Sequence, residues 1–88
     1  MEWEIKILFD RKIFRYKAEL FKTSTSFEHI RIVGKNKSLV FTSNRPLLKS
    51  KGLKHRPIDF KLIEGTVNNS FFLTLLTKSL EEELNKNR

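Results

Sequence analysis

"PIDFKLIEGTVNNSFFLTLLTKSLEEEL", residues 57–84, decides the fold, because its hydrophobic period changes partway along. In the first part Ile58, Phe60 and Leu62 alternate with Asp59, Lys61 and Ile63. That period of two belongs to a strand with one buried side. Pro57 suits a strand start, where its missing N–H is not needed, and Gly65 ends the run. Beyond it, Phe72, Leu73, Leu76, Leu80 and Leu84 recur at helical spacing. At roughly 100° per residue they cover about a third of a helix circumference. Asn69 or Ser70 can cap the first turn. Lys78 with Glu82, and Glu82 with Lys86, form i,i+4 pairs on the outer side. An amphipathic helix that follows a half-buried strand needs a sheet to lie on.

The preceding residues supply that sheet. In "WEIKILFD" (3–10) Trp3, Ile5, Ile7 and Phe9 share a side; in "IFRYKAEL" (13–20) Phe14, Tyr16, Ala18 and Leu20 do. A two-residue turn at Asp10-Arg11 pairs Ile7 with Phe14, Ile5 with Tyr16 and Glu4 with Lys17. Opposite charges facing across a ladder favour that register over one that sets Glu4 against Glu19. "EHIRIVGKNKSLVFTS" (28–43) forms a second hairpin around Lys35-Asn36, with Ile32 facing Leu39 and Ile30 facing Phe41. The expected fold is α+β: an antiparallel sheet of about five strands, two hairpins plus one, with one C-terminal α-helix packed on one face. Residues 1–88 form a single domain, with no repeat or linker. The helix should cover Ile5, Ile7, Phe14, Tyr16, Ile30, Ile32, Leu39 and Phe41, and leave the other face open to water.

Composition narrows the chemistry. With no cysteine there are no disulfides, thiolate metal sites or cysteine nucleophiles. His29 and His55 are the two histidines, and no carboxylate pair, metal-ligand spacing or nucleophile motif accompanies them. No catalytic residue, metal or cofactor is therefore expected. No apolar run approaches the roughly 18 residues of a membrane span, and the acids near the N-terminus do not read as a secretion signal. The expectation is a cytoplasmic protein with no membrane partner.

The net charge is +8, and it is localised. Residues 11–56 hold thirteen Lys or Arg against only Glu19 and Glu28. The densest part is "NRPLLKSKGLKHRP" (44–57), which carries Arg45, Lys49, Lys51, Lys54, His55 and Arg56 and no acid. It reads as a loop stiffened by Pro46 and Pro57, with a turn at Gly52. Its leucines, Leu47, Leu48 and Leu53, are expected to fold back over Phe71 and Leu75. The open sheet face adds Lys6, Arg15, Lys17 and Arg31, beside His29 and Phe27. Together these residues suggest a non-catalytic module that contacts nucleic acid, DNA or RNA, or another polyanion. One alternative is a protein-interaction domain built on Leu8, Ile13, Val33 and Val40, or a homodimer that keeps Phe71, Leu75 and the loop leucines dry. Another is a metal-independent ribonuclease using His55. Against all three stands an ordinary solvated surface whose charges keep the protein in solution.

Overall fold

In the computed structural model, residues 2–35, 37–53 and 55–86 are described. The elements are β1 (Glu2–Phe9), β2 (Lys12–Thr23), β3 (Glu28–Val33), β4 (Ser38–Ser43), α1 (Arg45–Ser50), β5 (Phe60–Glu64) and α2 (Ser70–Lys86). The five strands form one antiparallel sheet whose spatial order is the chain order. With α2 on one face this is an α+β fold.

The first hairpin has the expected register, with Ile7 opposite Phe14, Ile5 opposite Tyr16 and Glu4 opposite Lys17. Its turn holds Asp10 at φ 52° and Arg11 at φ 62°. Two left-handed residues give the mirror-image turn whose twist matches the strands. The same register sets Glu2 against Glu19, an unfavourable like-charge pair that Arg31 of β3 offsets from 3.5 Å. In the second hairpin Ile32 lies opposite Leu39 and Ile30 opposite Phe41, as expected. Gly34 N–H closes its turn on the Lys37 carbonyl at 2.8 Å; of the expected turn pair, Asn36 lies outside the described residues. Gly34 is needed for space. A Cβ there would lie 2.5 Å from the Tyr16 ring, which packs over it.

Helix α2 buries the predicted stripe. Leu76, Leu80 and Leu84 are fully buried against Ile5, Ile7, Ile30, Ile32, Leu39 and Phe41. Asn69 Oδ1 accepts the Phe72 N–H at 3.0 Å, which caps the first turn. The Phe72 ring then meets Phe9, Phe14 and Tyr16 edge-on, at 5.3, 5.4 and 6.2 Å between centroids. Such tilted contacts suit the charge distribution of aromatic rings.

Two expectations change. The connection 44–57 is not irregular throughout, because residues 45–50 make the six-residue helix α1. Pro46 sits in its first turn, where proline loses no hydrogen bond. Gly52, at φ 69°, ends it. There Gly52 N–H bonds the Lys49 carbonyl and Leu53 N–H the Leu48 carbonyl, at 3.2 and 2.8 Å. This termination brings the apolar residue after the glycine onto the last turn. Leu48 and Leu53 are accordingly half-buried, but they lie outside the main core. They do not cover Phe71, which packs beside Phe9 with 6.1 Å between centroids and stays 63% exposed. Leu75 packs on the core instead.

Candidate functional site

The excursion from β4 to β5 is fastened at its base. Asn44 Oδ1 accepts the Asp59 N–H at 2.8 Å, and Asn44 N–H reaches the Asp59 carbonyl at 3.3 Å. Glu81 of α2 accepts the Ile58 N–H at 3.0 Å. The deepest fastening is Glu28. In β3 it falls in phase with Ile30 and Ile32 and so points to the core side, where it is 1% exposed. A buried carboxylate needs partners, and it accepts three hydrogen bonds from two residues. Arg45 donates Nε to Oε1 at 2.8 Å and Nη2 to Oε2 at 2.9 Å, while Ser43 Oγ–H donates to Oε1 at 3.0 Å. Arg45 Nη1 continues to the Leu84 carbonyl at 3.4 Å, near the C-terminal end of α2. This two-pronged geometry is specific to arginine.

The cations expected to bind a polyanion fall into separate settings. Arg45 is committed to Glu28 and faces inward, with its side chain only 22% exposed. Lys49, Lys51, His55 and Arg56 are exposed, and none of them forms an ion pair among the described residues. Lys54 lies outside the described residues.

On the sheet face the charges are interleaved. Glu4 sits between Lys6 and Arg15 at 4.0 and 3.9 Å, and Glu19 lies 3.5 Å from Arg31. Lys17 is exposed, opposite Glu4 on one side and Val33 on the other. One row across the sheet reads Glu2, Glu19, Arg31, Val40, Glu64. The next row, toward the excursion, reads Lys22, His29, Thr42, Lys61 and contains no acid. The sheet is therefore charge-balanced over most of its open face and basic at one end. Of the apolar residues on that face, Val40 is buried, while Leu8, Ile13 and Val33 are exposed.

One residue escaped the sequence reading. The β2–β3 ladder shifts between Leu20 and Lys22, so two residues of β2 share the place opposite His29. Phe21 continues the alternation of Arg15, Lys17 and Glu19 onto the open face, and the bulge sets Lys22 beside it. The Phe21 ring lies 4.3 Å beneath the Arg31 guanidinium and 5.9 Å from the His29 ring. No family model matches the chain, and comparisons with curated proteins and with solved structures found no match either.

Proposed function

We propose that the protein is a small non-catalytic module that grips nucleic-acid phosphates with the excursion from α1 to β5. The observation that carries this reading is the state of Lys49, Lys51 and Arg56. They are exposed and without ion pairs among the described residues, on a segment anchored through Asn44, Ile58 and Arg45. Elsewhere on the sheet a carboxylate stands beside Lys6, Arg15 and Arg31. Cations held on an anchored backbone lose less conformational freedom on binding than those of a free tail. Lys54 adds a fourth charge in the sequence. Arg45 supports the grip by holding α1 in place.

Fluorescence anisotropy with a labelled oligonucleotide over a salt series tests the reading. Four neutralised phosphates give a log–log slope of about −3.6 on duplex DNA and about −2.8 on a single strand. A Lys49/Lys51/Lys54→Ala variant should lose roughly two to three units of slope. Absence of binding at low salt, or equal slopes for both proteins, overturns the grip.

A second reading rests on the tip of the first hairpin. Leu8 and Ile13 face each other across the ladder at 70% and 62% exposure. An apolar pair left this wet is a natural contact for a second copy of the chain. Sedimentation equilibrium tests it: concentration-dependent dimer that Ile13→Lys abolishes supports the contact, and monomer at all concentrations removes it.

A further inference from the structure

The open face beside the bulge in β2 carries groups that a phosphate grip alone does not need. Phe21 and Phe27 are both on the surface, 40% and 44% exposed. Each is held on ordered backbone. Phe21 sits at the bulge beside the His29 ring, with the Arg31 guanidinium against its own ring. Phe27 immediately precedes β3 in phase with His29 and Arg31. It is fixed by Ser24, whose N–H bonds the Phe27 carbonyl at 2.7 Å and whose Oγ accepts the Phe27 N–H at 3.1 Å. Two residues along a strand span about 6.6 Å, so Phe27 lies within one extended nucleotide of the position Phe21 faces. Lys22 and Lys61 stand in the acid-free row beside them, and β4 ends at Ser43, directly before α1.

We infer that Phe21 and Phe27 form a stacking platform for unpaired bases, so that the ligand is single-stranded nucleic acid. The inference rests on the proposed phosphate grip and adds what that grip cannot supply: a preference for one strand over two. Bases in a duplex are already stacked on their neighbours and present only their edges, whereas an unpaired base can lay its face on a ring. A base placed on either ring leaves its phosphates toward Lys22, Lys61 and the excursion. The cation already stacked on Phe21 holds that ring in orientation and offers a flat surface of its own. Every base has a face to stack, so the platform should be tolerant of sequence.

The experiment uses the full chain and a short single strand carrying 2-aminopurine, whose emission is quenched on stacking. Wild type should quench the probe and bind the single strand more tightly than the matching duplex. Phe21→Ala and Phe27→Ala should each weaken single-strand binding by about 5- to 150-fold, abolish part of the quenching and leave the salt slope unchanged. Phe21→Tyr keeps a ring and should retain both properties, which separates lost stacking from a disturbed fold. If the alanine variants bind as wild type with the salt dependence intact, the platform is wrong and the grip stands. If heparin or an acidic peptide displaces the oligonucleotide with no sign of quenching at any stage, the ligand is not read through its bases and the platform falls. If no nucleic acid binds at low salt, both readings fall together.

Discussion

The two ends of the sheet are closed in opposite ways. At the β1–β2 turn the start of α2 is held by rings: Phe72 against Phe9, Phe14 and Tyr16, with Phe71 beside Phe9. At the far end one carboxylate, Glu28, gathers Ser43 of β4 and Arg45 of α1, and Arg45 passes the contact on to Leu84 of α2. Ring contacts are weakly directional and stabilise through buried area. The ion pair is directional, and removing one partner leaves a charge stranded in the interior. The apolar end can shift slightly and still hold. The polar end fixes where α1 starts, and so where the basic excursion is displayed.

The largest effect should come from breaking the polar end. Arg45→Ala leaves Glu28 unpaired at 1% exposure and should cost roughly 3–5 kcal/mol in denaturant unfolding. Arg45→Lys keeps the charge but not the fork and should recover only part of that loss. A cost below about 1 kcal/mol for Arg45→Ala would mean that water reaches Glu28 and that the two ends do not differ as described. Next comes the apolar side, where Leu76→Ala should cost about 2–5 kcal/mol because Leu76 is fully buried one turn beyond Phe72. Leu76→Met should cost under about 1.5 kcal/mol. If the conservative change is as harmful here as Arg45→Lys is at the other end, the contrast in tolerance disappears.

Smaller effects sharpen the picture of the apolar end. Arg11 holds φ 62° in the first turn, a conformation costing a non-glycine residue about 1–2 kcal/mol. Glycine costs about 0.5–1 kcal/mol in unfolded-chain entropy, so Arg11→Gly should stabilise by up to about 1.5 kcal/mol. A destabilised variant would show that the arginine side chain makes a compensating contact. Smallest is a pH effect. Tyr16 is the single tyrosine, and burial against Phe72 and Gly34 holds its phenol above the ordinary 10.0. The neutral form is the one favoured by folding. Its contribution is therefore complete below pH 10 and lost as the pH rises through the folded-state value. Ultraviolet difference titration should show late ionisation of the folded protein; an unshifted curve would mean that the ring is wetter than its contacts imply.

Much of the fold was legible because it follows from alternation. The registers of both hairpins and the buried stripe of α2 follow from residues close in sequence. Helix α1 was missed because six residues are too few to show a helical period, although Pro46 and Gly52 marked its two ends. Glu28 could have been found: an acid in phase with Ile30 and Ile32 must be buried, and a buried acid requires a cation. What alternation cannot provide is an extra residue. Phe21 follows from the alternation of Arg15, Lys17 and Glu19, but the bulge that sets Lys22 beside it opposite His29 exists only in the pairing with β3. The neighbouring rows, one setting Glu19 beside Arg31 and the next leaving Lys22, His29 and Lys61 without acids, depend on several registers at once.

The order of the strands bears on how the protein folds. Every strand pairs with its neighbour in the chain, so the sheet can form from local hairpins, a topology associated with rapid folding. Helix α2 is the exception, because it follows all five strands in sequence and lies back along β1. Until the ribosome has released the residues of α2, a nascent sheet would show its apolar face to the cell. Ile5, Ile7, Ile30 and Ile32 would be bare during that interval, which makes it the point at which the chain is most open to aggregation or to chaperone capture.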